Sequence, residues 1–315
     1  MSLAARSGVL IGQSQAMREL RALIERVAPT QLPVLIEGET GTGKELVAEL
    51  LHRASGRRGS LVAFNVCAIG ESMFEDALFG HVRGAYTGAI NDALGFLRES
   101  NGGTVFFDEI SALPMPQQAK LLRAIDTGVF RPIGAARDVH SDFRVVAATN
   151  ELLTDAVSAG RFRADLRHRL SGIVVRVPPL TERSEDIPEL ATHFLRECIF
   201  GNRHARIDDR AARRLMLLPW QGNVRELKSV IQAAAAFADD VLDLRALESA
   251  LGNRAPVDSG EGGAAHSRKR SELIVALHDA GWDVSQTAER LGVHRVTVYR
   301  QMRQHGIQPP RFAGL

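Results

Sequence analysis

The sequence predicts an α/β protein in which helices sandwich a parallel sheet, followed by a helical lid subdomain and a C-terminal all-α helix-turn-helix domain. Three observations predict it. Short apolar runs alternate with helical stretches up to about residue 178, a glycine-rich loop ending in Gly43-Lys44 follows the first run, and a helix–glycine–helix unit lies near the end. Strands that alternate with helices favour a parallel sheet covered on both faces.

The composition is that of an ordinary globular protein. At 315 residues the chain has room for two or three domains of about 150 residues or less. Apolar residues make up 45% and charged residues 24%, enough for a sizeable core. Cys67 and Cys198, the two cysteines, are expected to be free buried thiols in a reducing cytosol. The sequence contains neither a membrane-spanning run nor the apolar core of a signal peptide, so we expect a cytoplasmic protein without a membrane partner.

The elements of the α/β part follow from local patterns. Apolar residues spaced three and four apart predict a helix over 17–27, and the apolar run 33–37 predicts a buried strand entering the glycine loop. A second helix is predicted over 45–54, and Pro178-Pro179 ends the alternation. Four more apolar runs are predicted strands: 61–64, 104–107, 144–148 and 173–177.

The rest of the chain is predicted to be helical. No convincing strand is seen over 186–251, and the segment 252–267 has the Pro and Gly content of a flexible linker. From residue 268 to the end, the chain has eight Lys/Arg and four Asp/Glu, a net charge of +4. Because the whole chain carries +2, the part before this tail carries 2 − 4 = −2. A basic tail indicates nucleic-acid binding. The predicted domains are an ATPase α/β subdomain over 8–178, a lid over 179–251, a linker over 252–267 and a DNA-binding domain over 268–309.

The glycine loop fits the phosphate-binding pattern G-x-x-x-x-G-K. Its glycines let backbone N–H groups point at phosphate oxygens at the start of a helix, and Lys44 is predicted to reach the β- and γ-phosphates of ATP. Glu45 stands where a Ser or Thr usually binds Mg²⁺. The predicted nucleotide-binding residues of this loop are Gly38, Glu39, Thr40, Gly41, Thr42, Gly43, Lys44 and Glu45.

Two adjacent carboxylates end the apolar run Thr104-Val105-Phe106-Phe107. Such a strand, buried beside a phosphate-binding loop, delivers its acids to the phosphates. Asp108 is predicted to be the Mg²⁺ ligand, and Glu109 the base that polarises the attacking water. The alternative is a strand followed by an acidic helix start in solvent.

A small-residue hexapeptide between these two motifs suits a loop rather than a core. It presents Tyr86 and Thr87, and an apolar ring at a loop tip usually contacts another molecule. The run resembles the GAFTGA loop of the sigma-54-dependent transcriptional activators, or bacterial enhancer-binding proteins, a branch of the AAA+ ATPases. These proteins typically carry the same GETGTGKE string, so Glu45 favours this family. The GAYTGA loop, the predicted sigma-54 contact, consists of Gly84, Ala85, Tyr86, Thr87, Gly88 and Ala89.

The resemblance, which covers roughly residues 9–250, implies further nucleotide-site roles. Asn65 matches the asparagine that restrains the catalytic glutamate and links hydrolysis to the loop. Thr149 and Asn150 match sensor I, whose polar groups read the γ-phosphate. The sequence departs from the usual residues of the family at two positions: Tyr86 replaces a phenylalanine, and Thr181 replaces a common arginine.

Three arginines match catalytic positions of the family. Arg163 and Arg169 lie where it places trans-acting arginine fingers, which would couple activity to assembly of a ring; the alternative is a solvated helix face. Arg225 matches sensor II. The alternative interpretation of this segment is an N-capped helix that starts at Asn223, and both interpretations can hold together.

The C-terminal unit is similar to the factor-for-inversion type of helix-turn-helix found in these activators. Ala288 and Leu291 are expected to pack the first helix, Gly292 to turn the chain and Val298 to pack the second helix. The second helix of such a unit enters the major groove of double-stranded DNA. A generic helical hairpin is the alternative. The predicted DNA-binding residues are Arg295, Thr297 and Arg300.

Together these resemblances imply an ATP-hydrolysing activator that binds an upstream activating sequence. It would form a homo-oligomeric ring, expected to be a hexamer, and drive its GAYTGA loop against sigma-54 RNA polymerase holoenzyme to convert closed complexes into open ones. The AAA+ pattern begins near Val9, which leaves no room for a regulatory domain ahead of it. We therefore expect control by a separate regulatory protein and expression level, or a truncated product.

Two other classes of protein remain open on the residues alone. A replication-initiator-type AAA+ ATPase would explain the phosphate-binding loop and the helix-turn-helix, but not the GAYTGA loop. A DNA-binding repressor whose nucleotide only sets its oligomeric state would not need Asp108, Glu109 and Arg163. A phosphate-release assay separates this repressor from an ATPase.

Overall fold

The computed structural model describes residues 9–198, 206–238, 241–252 and 264–307, which divide into two compact units. The first unit contains residues up to 10 and 20–177, and the second contains 11–19 and the chain from 178 onward. The first helix, α1 (Gln15–Val27), contributes residues to both.

The first unit is built on the parallel sheet that the sequence predicts. In the described chain this sheet has five strands in the order β2-β3-β6-β1-β7, and a short antiparallel pair, β4-β5, lies outside it. The strands are β1 (Val34–Glu37), β2 (Leu61–Asn65), β3 (Thr104–Asp108), β4 (Val129–Phe130), β5 (Val139–His140), β6 (Arg144–Thr149) and β7 (Ile173–Arg176). The helices after α1 are α2 (Lys44–Arg53), α3 (Glu71–Phe79), α4 (Phe96–Glu99), α5 (Met115–Thr127), α6 (Leu153–Ser158) and α7 (Ala164–Leu170).

Apolar side chains cover both faces of this sheet. Because side chains alternate along a strand, residues such as Leu35 and Phe107 point to one face, where they form a core with helices α3, α5, α6 and α7. Their neighbours Ile36 and Phe106 are buried on the other face, and α2 contacts strands β1, β3 and β6. This double burial explains why the central strands β1, β3 and β6 read as continuous apolar runs. The predicted α/β fold class is confirmed.

The second unit is mainly helical. Its helices are α8 (Ile187–Cys198), α9 (Asp209–Met216), α10 (Asn223–Ala235), α11 (Leu244–Gly252), α12 (Ala264–Asp279), α13 (Val284–Leu291) and α14 (Arg295–Gln304). Two-residue strands β8 (Arg206–Ile207) and β9 (Val241–Leu242) pair in parallel. The expectation that 186–251 contains no strand is therefore wrong at these two sites. Runs of two residues are too short to show a period of two in the sequence.

The predicted lid and DNA-binding regions share one core in this unit. Leu190 and Ile231 belong to the same cluster of buried residues as Leu277 and Val298. The guanidinium of Arg270 in α12 is buried and donates to the backbone oxygen of Thr181, the hydroxyl of Ser184 and the carboxylate of Glu185. The two predicted domains therefore do not have separate cores, and α12 begins at Ala264, inside the predicted linker. Residues 253–263 of that linker lie outside the described residues.

Candidate functional site

The phosphate-binding loop connects β1 to α2 as predicted. Gly41 and Gly43 have φ angles of +80° and +104°, in the left-handed region where a side chain is unfavourable. A Cβ on Gly38 would lie 3.0 Å from the backbone oxygen of Val177, so the chain has little space there. The loop leads directly into α2, whose first N–H groups have no partner within the helix. This is the geometry that a polyphosphate requires.

Lys44, the first residue of α2, is buried with its charge inside the loop. Its Nζ donates to the backbone oxygen of Gly38 at 2.8 Å and lies 3.4 Å from Oε1 of Glu109. The ammonium group therefore lies between the loop and the catalytic candidate Glu109. A nucleotide phosphate could replace the Gly38 oxygen as its partner without a backbone change.

Asp108 is held by the neighbouring strand. Asn65 and Asp108 are paired residues of β2 and β3, and the Asn65 amide donates to Oδ2 of Asp108 at 2.9 Å. The Asn65 oxygen accepts from the backbone N–H groups of Cys67 and Ala68, which fixes the orientation of the amide. Register therefore places the amide opposite Asp108. The expected roles of Asn65, in restraining the catalytic glutamate and in linking hydrolysis to the loop, stay predictions.

Glu109 is held by the end of β6. Its φ of +55° is uncommon for a side-chain-bearing residue and is the kind of strain that clusters at functional sites. Its Oε2 accepts from the backbone N–H of Asn150 at 3.2 Å, and the Asn150 amide lies 3.4 Å from Oγ1 of Thr40. Strands β3, β6 and β1 are neighbours, so the predicted base, sensor I and phosphate loop meet at one edge of the sheet.

Sensor I has a support that the sequence analysis missed. The buried Thr149 hydroxyl donates to the backbone oxygen of Glu151 at 2.9 Å. Arg161 donates two hydrogen bonds to the Glu151 carboxylate, at 2.9 and 2.7 Å. The hydrogen bonds from Arg161 lower the pKa of Glu151. The spacing of ten residues between Glu151 and Arg161 gave no signal, because only the fold of the intervening helix brings them together.

Asp108 and Glu109 suit a Mg²⁺ ion that arrives with ATP. Within the described ranges, no three His, Cys, Asp or Glu side chains form a metal cluster. Mg²⁺ does not need such a cluster, because it usually binds one or two carboxylates together with substrate phosphates and water. Adjacent acids at the end of β3 supply that set.

The two cysteines are free, but they are not buried as predicted. Cys67 is exposed and Cys198 half-buried. Partial burial and the negative charges of Glu109 and Asp108 raise the pKa of the Cys67 thiol. Its position after β2 places it near the acids, which no pattern in the sequence indicated.

The GAYTGA loop is a closed turn on the surface of the first unit. The N–H of Gly84 donates to the oxygen of Ala89 at 2.8 Å, and the N–H of Ala89 donates to the oxygen of Tyr86 at 3.0 Å. Tyr86 is 41% exposed and Thr87 is exposed. Ile90, which the sequence analysis missed, is 75% exposed directly beside the loop. An apolar β-branched residue followed by Asn and Asp could have signalled it.

The two candidate arginine fingers lie at either end of α7, where Arg163 is half-buried and Arg169 is exposed. Arg163 donates two hydrogen bonds to Asp165, at 3.0 and 2.8 Å, and these bonds raise the pKa of Arg163. Arg169 pairs with Asp126 at 2.8 Å. Both guanidinium groups have carboxylate partners within the first unit, and their action on a neighbouring subunit stays a prediction.

The sensor II candidate Arg225 lies in the second unit, exposed in the first turn of α10. The helix begins at Asn223, and Gly222 occupies the cap position, so the expected capping role of Asn223 is wrong. The buried Asn223 side chain instead accepts from the backbone N–H of Leu180 at 2.7 Å. The role of Arg225 toward nucleotide stays a prediction.

Helices α13 and α14 form the predicted helix–turn–helix. Asp283 caps α13, and Gly292 ends it with a φ of +63°. Of the predicted DNA-binding residues, Arg295 and Arg300 are exposed on α14, whereas Thr297 is half-buried and so less accessible. The sequence analysis missed Val296 and Tyr299, which are 66% and 61% exposed on the same helix.

No described helix is long and apolar enough to span a membrane.

Three family models match successive parts of the chain. Residues 10–176 match the sigma-54 interaction domain, 181–263 the AAA+ ATPase lid domain and 270–305 the Fis family of bacterial regulatory proteins. The transcriptional regulator NtrC of Azospirillum brasilense is 40% identical over 281 residues, which cover 86% of this chain and 58% of NtrC. The response regulator PilR of Pseudomonas aeruginosa is 39% identical over 312 residues, covering 93% of this chain and 68% of PilR. The chain thus spans 58% and 68% of the lengths of these two relatives.

Solved structures agree on the fold. NtrX from Brucella abortus in complex with ADP is 31% identical, with a TM-score of 0.75 over 95% of this chain and 70% of that chain. A mutant of RuvB from Thermotoga maritima has a TM-score of 0.54 at 18% identity, covering 94% of this chain and 89% of that chain. The second likeness concerns the AAA+ fold alone.

Proposed function

This chain belongs to the family of proteins with a sigma-54 interaction domain, and we propose that it is an ATP-hydrolysing transcriptional activator. It would bind upstream DNA through α14 and use ATP turnover to remodel sigma-54 RNA polymerase holoenzyme from the closed to the open complex. Its proposed binding partners are DNA and RNA polymerase holoenzyme. Because both are found in the bacterial cytoplasm, we expect the protein to act there.

The site at the sheet edge supports the ATPase part of the proposal. The phosphate-binding loop would hold the polyphosphate with backbone N–H groups, and Lys44 would bind its terminal phosphates. Asp108 would hold Mg²⁺, which neutralises developing phosphate charge when bound. Glu109 would polarise the attacking water as a general base. Asn150 would connect the base to the phosphate loop, because its backbone N–H donates to the Glu109 carboxylate and its side-chain amide lies 3.4 Å from Oγ1 of Thr40.

The exposed arginines support an oligomeric ring. Arg163 and Arg169 are side chains of the first unit, about half-exposed and paired with carboxylates there. Exchange of a surface carboxylate for phosphate oxygens costs little, because solvent screens exposed ion pairs and they contribute little to stability. We propose that they complete the site of an adjacent subunit in a hexamer. An arginine finger contributes about 10³–10⁵ in rate.

The observation that carries the sigma-54 part is the closed GAYTGA loop. It displays an aromatic ring and a hydroxyl to solvent within the segment that matches the sigma-54 interaction domain. Neither Tyr86 nor Thr87 makes a hydrogen bond to the phosphate loop or to the acids at the end of β3 within the described structure. Changes there should separate ATP chemistry from the contact that it powers.

The deciding experiment measures both properties in the same variants. Thr87→Ala should hydrolyse ATP at a rate comparable to the unmodified protein, yet fail to open a sigma-54 promoter in reconstituted transcription. Tyr86→Ala should also fail, because the ring that would be buried against sigma-54 is gone, whereas Tyr86→Phe should remain active. The contact itself is measured as binding to sigma-54 when aluminium fluoride, a transition-state analogue, occupies the ATP site. If the unmodified protein shows no such binding while Thr87→Ala transcribes normally, the ATPase acts on another target.

A further inference from the structure

The tip of the GAYTGA loop is tied to the helix beneath it through one carboxylate. Asp76 in α3 accepts a hydrogen bond from the Tyr86 hydroxyl on Oδ2, at 3.1 Å. Its other oxygen, Oδ1, lies 2.5 Å from Nδ1 of His81. The rings of His81 and Tyr86 meet edge to face, with centroids 5.1 Å apart. Asp76 therefore joins a residue at the base of the loop to the residue at its tip.

The base of this arrangement is fixed by backbone bonds on two sides. His81 exchanges hydrogen bonds with Ala93, at 3.0 and 2.9 Å. On the other side, Ile133 donates to Gly80 at 2.8 Å and accepts from Val82 at 3.1 Å. A Cβ on Gly80 would lie 2.2 Å from the oxygen of Ala93, so this packing has no spare room. The backbone that carries His81 is consequently held from both sides.

The Tyr86 side chain has two competing uses in this arrangement. Its ring is the surface offered to a partner, and its hydroxyl holds the ring against α3. Partial burial, followed by the hydrogen bond to Asp76 and the charge of that carboxylate, raises the pKa of Tyr86, so the hydroxyl remains a donor at neutral pH. Phenylalanine presents the same apolar ring but has no hydroxyl to donate.

We propose that Asp76 is a positioning residue that latches the GAYTGA loop through the Tyr86 hydroxyl and thereby restrains the loop from engaging its partner. The identity of that partner rests on the function proposed above, but the latch itself is a property of the first unit. Engagement of the ring by sigma-54 would require the Tyr86–Asp76 bond to break. A chain with phenylalanine at this position would lack this restraint.

Two variants of the full chain test the latch. Tyr86→Phe removes one hydroxyl and leaves the Asp76–His81 pair intact, while Asp76→Ala removes the acceptor. Tyr299→Phe is the matched control, because it makes the same chemical change at the other tyrosine of the chain, 61% exposed on α14. The first measurement is hydrogen–deuterium exchange of the nucleotide-free proteins over 82–94, where the bonded N–H groups of Gly84 and Ala89 report loop opening.

Loss of the hydrogen bond between Tyr86 and Asp76 should raise the rate of hydrogen–deuterium exchange in the loop by about 2- to 10-fold, both in Tyr86→Phe and in Asp76→Ala. Exchange in β1 and β3 should not change, and Tyr299→Phe should behave like the unmodified protein. The double variant should exchange no faster than Asp76→Ala alone, because both changes break the same bond. The second measurement is sigma-54 binding without nucleotide or aluminium fluoride, which should rise in Tyr86→Phe by a similar factor. A purely structural role of Tyr86 would not produce this gain.

Each contrary result has a distinct meaning. Equal loop exchange in Tyr86→Phe and the unmodified protein would overturn the latch, whatever the partner is. Faster exchange in Asp76→Ala alone would also overturn it, because Asp76 would then act through His81. Faster exchange in both variants, with no sigma-54 binding by any protein even with aluminium fluoride, would support the latch and refute the proposed function.

Discussion

A buried arginine at the start of a central strand gives the sharpest stability prediction. Arg144, the first residue of β6, is only 2% exposed. Its guanidinium donates to the backbone oxygens of Ala28, Val27 and Leu32, at 2.6, 3.1 and 3.3 Å. Two of these oxygens lie at the C-terminal end of α1, where helix carbonyls have no partner within the helix and a positive charge is favourable.

The free energy of unfolding that is lost when this guanidinium is removed follows from its hydrogen bonds. Hydrogen bonds to a charged group contribute about 1.5–3 kcal/mol each, and the third of these bonds is long. Against them stands the unfavourable burial of the charge, because burial and the nearby charge of Arg57 lower the pKa of Arg144. For Arg144→Met, which keeps the apolar stem, we expect a net loss of about 2–4 kcal/mol. At about 2–4 °C per kcal/mol for a unit of this size, Tm should fall by about 5–15 °C.

Thermal and urea unfolding followed by circular dichroism measure this loss. Arg144→Lys should be intermediate, because one ammonium cannot reach all three oxygens in the planar arrangement of a guanidinium. Arg53→Met is the control: its side chain is 51% exposed and forms a surface ion pair with Glu49, so its effect should stay within about 0.5 kcal/mol. If Arg144→Met were as stable as the Arg53 variant, the three carbonyl bonds would contribute nothing and the reasoning would be refuted.

Three further predictions concern the proposed function. Glu109→Gln should still bind ATP but lose about 10²-fold or more of its phosphate release, and unchanged turnover would remove Glu109 as the base. Specific ATPase activity should rise with protein concentration, and mixing Arg163→Ala with Glu109→Gln subunits should restore some turnover; activity that is independent of dilution, with no rescue, would mean that each site is complete within one chain. Arg295→Ala should weaken specific DNA binding by about 1–3 kcal/mol if Arg295 reads a guanine edge, whereas an equal loss on random DNA, measured by fluorescence anisotropy, would make it a phosphate contact.

The sequence by itself determined the architecture and the edge of the sheet where the site lies. Apolar runs predicted each of the five main strands. The three central strands, β1, β3 and β6, are buried on both faces, because a parallel sheet between helices leaves them no polar face to interrupt the pattern. Gly41 and Gly43 predicted the phosphate loop correctly, since their φ values exclude most other residues. Such features are local, so a linear pattern suffices to find them.

Tertiary structure alone decided which side chain meets which. Strand register placed Asn65 against Asp108 rather than Glu109, and helix packing joined the predicted DNA-binding end to the lid through Arg270. The bond from Tyr86 to Asp76 spans ten residues of turn and helix. Such contacts depend on the exact path of the chain in space, and a shift of one residue in register would exchange their partners. Composition and periodicity carry no information about that path, which is why the sequence located the site while only the fold revealed its internal contacts.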